Sequence, residues 1–346
     1  MEKSPEQNKC EEGKRLFCTE FVKQKSVLLE DKSEEEQKAI LVRLKREAEI
    51  IYDEALRFFA DLEDTNQEKA IDLQITLVQL PESKAKEITD RIIEAERSYS
   101  PDASARGYDA GSATVPDESK VTEGEQPVLL TAEHATTQTR KGQSKEADWG
   151  TGGLVDVLAT DHGAFAITAL GMQTGDPNFD DSHRFKEEAG LIIVQNGMRL
   201  ALSIHGIGSG KFVTEAQRST GQTSELAIGI GRHYTAESAE FAEWLQALAR
   251  SLDIRADINP WYLALDSEGE VRSKDSVPLR NSFRADKPYT TRSHMQYVAS
   301  ESGLLLPIAQ IELGSELRVG PDASKIIPEK IFKAYLLLTQ AIAKFA

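Results

Sequence analysis

The segment Met198-Arg-Leu-Ala-Leu-Ser-Ile-His205-Gly206 is a short apolar run that ends in a histidine beside glycine. Two other segments follow the same pattern, Pro127-Val-Leu-Leu-Thr-Ala-Glu133-His134 and Leu306-Pro-Ile-Ala-Gln-Ile-Glu312-Leu-Gly314. Runs of this kind are typical of buried β-strands that lead into loops. Because sites in open α/β sheets lie outside the carboxyl ends of the strands, we expect His134, His205 and Glu312 to share one edge of a sheet.

Strand-like and helix-like runs alternate over the rest of residues 127–346, which predicts one α/β domain. Its sheet is expected to be mixed or mostly parallel and to be flanked by helices. The predicted elements are 128–132, 153–159, 165–169, 187–196, 200–204, 226–231, 238–252, 254–258, 307–312 and 329–345.

Residues 1–98 are strongly charged and have helical periodicity, which predicts an all-α region before the α/β domain. Apolar residues recur there at spacings of three and four, as in a heptad seam. They are Leu41, Leu44, Ala48, Ile51, Ala55, Phe58 and Leu62. A helical bundle or a coiled-coil region is expected, and its last helix should cover 83–97. Residues 99–126 are rich in small, polar and acidic types and are predicted to be a linker.

The composition excludes several classes of function. A formal net charge of −16 over 346 residues disfavours a nucleic-acid partner or an anionic membrane surface. The sequence has no apolar stretch long enough for a membrane span and no signal-like apolar segment near Met1. The two cysteines, Cys10 and Cys18, are too few for a disulfide framework. We therefore expect a cytoplasmic location.

Two histidines at strand ends are candidate metal ligands, and a hydrolytic zinc site usually adds a carboxylate to them. Asp148 is the leading candidate in the segment Glu146-Ala-Asp148-Trp-Gly150-Thr-Gly152-Gly153. An equally good interpretation makes Asp148 the N-cap of the glycine-rich helix that follows. Glu133 is adjacent to His134, so its side chain is expected to point away from the pocket.

Glu312 and Arg184 are candidates for the remaining chemistry. A carboxylate at the end of a buried strand can take a proton from an activated water and pass it to a leaving amine. The alternative for Glu312 is a salt bridge to Arg318 or Arg284. Arg184 offers a planar fork that suits a substrate carboxylate, and its alternative is a surface ion pair.

Taken together, these segments resemble the N-formylglutamate amidohydrolase family, whose relatives include poly-γ-glutamate hydrolases and zinc carboxypeptidases. The matching stretches cover about 127–330 and occur in the family's order. They are Leu129-Leu-Thr-Ala-Glu-His134-Ala, Asp148-Trp-Gly150, Asp181-Ser-His-Arg184, Leu202-Ser-Ile-His205-Gly206, Asn259-Pro-Trp-Tyr262 and Ile308-Ala-Gln-Ile-Glu312-Leu. Residues 1–98 have no counterpart in this pattern.

The resemblance implies a zinc exopeptidase-like fold and Zn²⁺ held by His134, Asp148 and His205. Glu146 and Glu133 remain alternatives to Asp148 as the third ligand. It also implies that Glu312 is the general base and that Arg184 contacts a substrate carboxylate. The expected function is hydrolysis of an N-acyl, such as N-formyl, or γ-glutamyl amide of an acidic amino acid. One alternative is a metallopeptidase that acts on glutamyl or cell-wall peptides. The other is a helical protein with a degenerate hydrolase domain, which self-associates or binds a protein partner through residues 1–98.

Overall fold

The chain divides into two units, Met1–Gln79 and Leu80–Ala346. In the first unit the computed structural model describes only Gln37 and Leu41, both helical, so the predicted bundle or coiled coil lies almost entirely outside the described residues. In the second unit the described residues are 82–99, 118–171, 173–207, 225–231, 234–259, 290–320 and 325–346.

The second unit is built on a seven-stranded mixed sheet with the order β1-β5-β2-β6-β9-β7-β8. Its strands are β1 (Glu118–Thr122), β2 (Gln126–Ala132), β5 (Ala164–Leu170), β6 (Leu200–Ile207), β7 (Leu226–Gly229), β8 (Ala256–Asn259) and β9 (Ile308–Gly314). The central strands β5, β2, β6 and β9 are parallel, and β1 and β7 are antiparallel to their neighbours β5 and β9. A separate hairpin joins β3 (Gln138–Arg140) to β4 (Gln143–Lys145). The α/β prediction is confirmed.

Six described helices accompany the sheet, and several of their ends have the usual capping residues. They are α1 (Glu82–Glu96), α2 (Thr151–His162), α3 (Arg184–Asn196), α4 (Ala236–Ser251), α5 (Thr291–Glu301) and α6 (Pro328–Phe345). The Thr235 hydroxyl accepts from the Ser238 amide at the start of α4, and the left-handed Gly163 ends α2. Within the described residues, no helix is both long enough and apolar enough to cross a lipid bilayer.

Both faces of the central strands are buried, which explains their nearly continuous apolar sequences. Val128, Leu129 and Leu130 alternate in direction along β2, yet none of them is exposed. On one face, α3 and α5 pack on each other and contribute Phe185 and Met295 to a core shared with the strands. Helix α2 contacts β5, β2 and β6, and it also packs against α1 and α6.

The order of the strands creates a crevice at the carboxyl end of β2. From β2 the chain moves to β5 on one side and later to β6 on the other side. Binding sites in open α/β sheets form where the strand order reverses in this way, because the loops diverge there. His134 follows β2, His205 lies near the end of β6, and Glu312 lies beside His205 on β9.

The predicted domain boundaries need correction at two points. Helix α1, assigned from sequence to the helical region 1–98, packs in the α/β unit against α2 and α6. Its apolar stripe would serve a bundle or a sheet domain equally well, so periodicity alone does not identify its partner. Strand β1 lies within the predicted linker 99–126 and pairs with β5. Its sequence is polar because it forms an edge of the sheet.

Helix α1 also caps the amino terminus of α2. The buried Glu96 carboxylate accepts hydrogen bonds from the amides of Gly150 at 2.8 Å and Gly153 at 2.7 Å. A negative charge here satisfies unpaired N–H groups and favours the helix dipole. Gly153 is required for this approach, since a Cβ would lie 2.5 Å from the carbonyl oxygen of Ile92.

We predict that Glu96→Ala lowers the free energy of unfolding by about 2–4 kcal/mol, because it leaves two helix-terminal amides unsatisfied in a buried setting. Urea denaturation followed by tryptophan fluorescence would measure the change. Glu94→Ala is the matched control, because Glu94 lies on the same helix and forms only an exposed pair with Arg97. Equal losses in the two variants would contradict the capping role of Glu96.

Candidate metal centre

His134, Asp148 and His205 come together at the carboxyl edge of the sheet. His134 lies two residues after β2, and His205 lies on the adjacent, parallel strand β6. The loop before α2 brings Asp148 to them, where its amide donates to the carbonyl of His134 at 2.7 Å. The backbone itself therefore joins the loop to the strand end.

The three side chains present one atom each to a common point. His134 Nδ1, His205 Nδ1 and Asp148 Oδ2 are separated pairwise by 3.2 Å. The two imidazole rings meet edge to face, with centroids 4.8 Å apart and an interplanar angle of 78°. This grouping is the one that could hold a metal ion among the described residues.

A buried carboxylate fixes the orientation of His134 from behind. His134 Nε2 lies 2.9 Å from Asp176 Oδ1, and Asp176 is fully buried. Because an ionised carboxylate can only accept, Nε2 carries the proton and Nδ1 keeps its lone pair. Arg140 Nε donates to the other oxygen of Asp176 at 2.5 Å. Burial would raise the pKa of Asp176, but the contacts with His134 and Arg140 hold it well below its usual value.

His205 is oriented in the same sense by a second carboxylate. Its Nε2 donates to Ser203 Oγ at 3.0 Å, and that hydroxyl donates to Glu133 Oε1 at 2.6 Å. The other oxygen of Glu133 is 3.5 Å from the same ring nitrogen. Carboxylates placed behind histidines in this way are typical of metal sites, where they set the tautomer and raise the basicity of the ring.

The close packing of these groups shifts the pKa values of Asp148 and His205. Burial would raise the pKa of the Asp148 carboxyl, but hydrogen bonds from His134 and His205 hold it well below its ordinary value. Burial lowers the pKa of His205, whereas the charges of Glu133, Asp148 and Glu312 outweigh this and raise it to about 9. Without a metal ion, a proton on His205 therefore sits among the three converging atoms.

The geometry and the chemistry of this group fit a divalent ion. In a tetrahedral site with ligand bonds of about 2.0–2.1 Å, neighbouring ligand atoms lie about 3.3–3.4 Å apart. The observed spacing of 3.2 Å matches one face of such a tetrahedron. Two imidazole nitrogens and a carboxylate oxygen are the donor set of hydrolytic zinc sites, which keep a fourth position open.

Glu312 stands next to this group. It pairs in register with His205 across β6 and β9, and its side chain is 5% exposed. Burial raises the pKa of Glu312, the charge of His205 lowers it, and the charge of Asp148 raises it further. Gln310 Nε2 donates to its Oε1 at 2.6 Å. Within the described part of the chain Glu312 forms no ion pair with Arg318, and Arg284 lies outside that part.

The structure distinguishes between the sequence-based interpretations of the third residue. Glu146 is exposed, and Glu133 lies behind His205, so Asp148 is the carboxylate that faces both histidines. The interpretation of Asp148 as an N-cap is wrong, because the N-cap of α2 is Gly150 and has no side-chain cap. Glu96 satisfies those amides instead, which leaves the Asp148 carboxylate available.

Arg184 is not brought to this group. It opens helix α3 with its side chain 69% exposed and pairs with Glu188 at 2.7 Å. Two other cations, both on the β3–β4 hairpin, contact the site. Lys145 Nζ lies 3.1 Å from His134 Nδ1, and Arg140 binds the Asp176 carboxylate. Burial lowers the pKa of Lys145, and the neighbouring acidic residues Asp148 and Asp176 oppose this effect.

Sequence reasoning missed the supporting residues, and one signal could have found Asp176. It follows β5, the parallel neighbour of β2, so the rule that singled out the other strand ends applies to it as well. Lys145 and Arg140 carried no such signal. A three-residue strand in a small hairpin is too short for a pattern of alternation to stand out.

The fold and the site define an α/β protein with a candidate metal centre at the carboxyl edge of its sheet. No protein-family model and no curated protein sequence matches the chain.

Three solved structures are distantly similar to it. N-formylglutamate amidohydrolase from Ralstonia eutropha JMP134 has 10% identity and a TM-score of 0.41, over 66% of this chain and 98% of that one. Leucyl aminopeptidase from Trypanosoma brucei has 8% identity and a TM-score of 0.28, over 63% and 47%. A futalosine hydrolase mutant from Helicobacter pylori strain 26695 has 10% identity and a TM-score of 0.26, over 62% and 96%. Likenesses this distant do not place the chain in any of these families.

We predict that Asp176→Asn weakens zinc binding by about 10- to 100-fold, because loss of the carboxylate behind a histidine ligand lowers its basicity and frees its tautomer. Competition with a chromophoric chelator would give the Kd. Asp181→Asn is the control, since Asp181 is an exposed acid of the same loop. An unchanged Kd in Asp176→Asn would show that the carboxylate behind His134 does not support a ligand.

Proposed function

We propose that the protein is a zinc-dependent hydrolase of linear amide bonds. The observation that carries the proposal is the triangle of His134 Nδ1, His205 Nδ1 and Asp148 Oδ2, all 3.2 Å apart, with a buried glutamate beside it. Two histidines backed by carboxylates, one carboxylate ligand and a neighbouring acid are the parts that a hydrolytic metal site needs.

His134, His205 and Asp148 would hold the ion. When bound, zinc supplies Lewis acidity, which lowers the pKa of water to about 7 and polarises a substrate carbonyl. Asp176 and Glu133 would keep the two rings turned toward the site through their contacts at Nε2 or through Ser203.

Glu312 would hold and move the proton. Its carboxyl is buried beside His205, and its raised pKa suits a group that accepts a proton at one stage and gives it up at the next. The hydrogen bond from Gln310 to Oε1 fixes the carboxyl and leaves Oε2 to take the proton. In amide hydrolysis that proton would pass to the departing amine nitrogen.

An anionic substrate is favoured by the cations of the β3–β4 hairpin. In a protein with a formal net charge of −16, Lys145 and Arg140 are held next to the proposed ligands. An ion on His134 Nδ1 would take the lone pair that Lys145 now contacts, so the ammonium would need another acceptor. A substrate carboxylate would provide one. We therefore propose an N-acyl or γ-glutamyl amide of an acidic amino acid, with Lys145 and Arg140 in the role that the resemblance assigned to Arg184.

The central test combines metal content with activity. We expect His205→Ala to lose zinc and activity, and Glu312→Gln to keep zinc while kcat falls by about 10²- to 10⁴-fold. His162→Ala is the control, because His162 contacts Thr339 and Tyr335 away from the site. Elemental analysis and a panel of N-acyl glutamates and γ-glutamyl peptides are the measurements. The proposal fails if the zinc-loaded wild type cleaves none of them and His205→Ala retains the metal.

The role of Lys145 can be tested separately. We expect Lys145→Met to lower kcat/KM by about 10- to 100-fold, because a buried site loses a charge-assisted contact with the substrate. The effect should be largest for acidic substrates and smaller for their carboxamide counterparts. Arg184→Gln should leave both values unchanged, since Arg184 is exposed and paired with Glu188. A loss in Arg184→Gln but not in Lys145→Met would restore the assignment made from the sequence.

A further inference from the structure

Arg318 donates hydrogen bonds to three backbone carbonyls next to the residues of the proposed metal site. Its Nη1 donates to the carbonyl oxygen of Trp149, its Nε to that of Leu313 at 3.3 Å, and its Nη2 to that of Ile207 at 3.4 Å. These carbonyls belong to three different segments: the loop before α2, the end of β9 and the end of β6. One guanidinium thus joins three parts of the chain that are distant in sequence.

Each of these segments carries one of the proposed functional residues. Trp149 follows Asp148, Ile207 is two residues after His205, and Leu313 follows Glu312. The strands β6 and β9 are already held in register by their ladder, but the loop with Asp148 is not part of the sheet. The hydrogen bond to Trp149 therefore fixes a loop against two strand ends.

Two glycines allow the close packing around Arg318. A Cβ on Gly206 would lie 2.6 Å from both Cζ and Nε of Arg318. Gly150, which has a φ of +83°, lies against the next residue, where a Cβ would be 2.4 Å from the carbonyl oxygen of Val319. Gly206, beside His205, and Gly150, beside Trp149, therefore leave the room that residues 318–319 occupy.

We propose that Arg318 is a positioning residue that sets the distance between Asp148 and the two histidines. A metal site needs its ligand atoms within about 0.2 Å of their required separations. The His134 carbonyl and the Glu96 carboxylate already hold this loop, and Arg318 adds the contact that ties it to the ends of β6 and β9. The planar guanidinium has several donors in fixed directions, whereas a lysine ammonium is a point charge on a flexible stem. This inference rests on the proposed metal site, but not on the identity of the substrate.

The experiment compares Arg318→Met and Arg318→Lys with Arg292→Met. Arg292 is the control, because it is a buried arginine that also donates to a β9 carbonyl, that of Ile308 at the opposite end of the strand. In the metal-free full-length protein, two-dimensional NMR of the histidine ring nitrogens is recorded for each variant. The same proteins are then titrated with zinc for Kd and with Co²⁺ for the visible absorption spectrum.

We expect both Arg318 variants to shift the ring signals of His134 and His205, to change the Co²⁺ bands and to weaken zinc binding by about tenfold or more. Arg292→Met should reduce stability without these changes. The inference is overturned if the ring signals and the Kd match the wild type in Arg318→Met, or if Arg318→Lys restores them, because charge alone would then suffice. If the wild type binds no zinc, the proposed function fails, and the ring signals of the metal-free protein still decide the role of Arg318.

Gly206→Ala gives an independent approach from the other side of the contact. The added methyl group would displace the guanidinium and leave its donors intact. The same shifts in the ring signals of His134 and His205 should follow, and their absence would count against Arg318 in the same way.

Discussion

The convergence of three lone pairs on one point is the constraint around which this edge of the sheet is organised. His134, His205 and Asp148 each present an acceptor atom at 3.2 Å from the other two. Such atoms repel one another unless a proton or a cation lies between them. Despite burial, the charges of Glu133, Asp148 and Glu312 raise the pKa of His205, and the Lys145 ammonium lies 3.1 Å from His134 Nδ1, so both place positive charge near these atoms. A divalent ion between the three atoms would offset the same repulsion with more positive charge.

The buried carboxylates behind the histidines increase the need for positive charge at this point. Asp176 and Glu133 are fully buried, and Glu312 is nearly so. Burying carboxylates is costly unless they are paired or hydrogen-bonded. Arg140 and Lys145 supply positive charge on the side of His134, but the cluster as a whole is richer in acids than in bases. An excess of buried acid around two inward-facing nitrogens is better matched by a cation than by water.

The sequence was informative wherever a functional residue ended a long apolar strand. His134, His205 and Glu312 were placed at one edge because β2, β6 and β9 are buried on both faces, and buried strands have an unmistakable apolar pattern. Asp148 was ambiguous, because ligand and N-cap have the same local sequence, and only the distant Glu96 separates them. Arg184 was selected as the arginine of a promising motif, but its helix turns it toward Glu188. Asp176 follows β5 and could have been found by the same rule, whereas no local pattern marks Lys145 or Arg318.

Residues of the site that lie on strands need fewer supporting contacts than Asp148, which lies on a loop. The backbone hydrogen bonds of the sheet fix the position of a histidine on a strand, so its side chain needs only a partner for the second ring nitrogen. Asp148 lies on a loop outside the sheet. It is held by the hydrogen bond from its N–H to the His134 carbonyl, by the Glu96 carboxylate at Gly150 and by the Arg318 contact at Trp149. Two of these supports come from α1 and from the turn after β9, outside the strands that carry the histidines. The precision of the site therefore depends on the packing of α1 and of the segment after β9 as much as on the sheet itself.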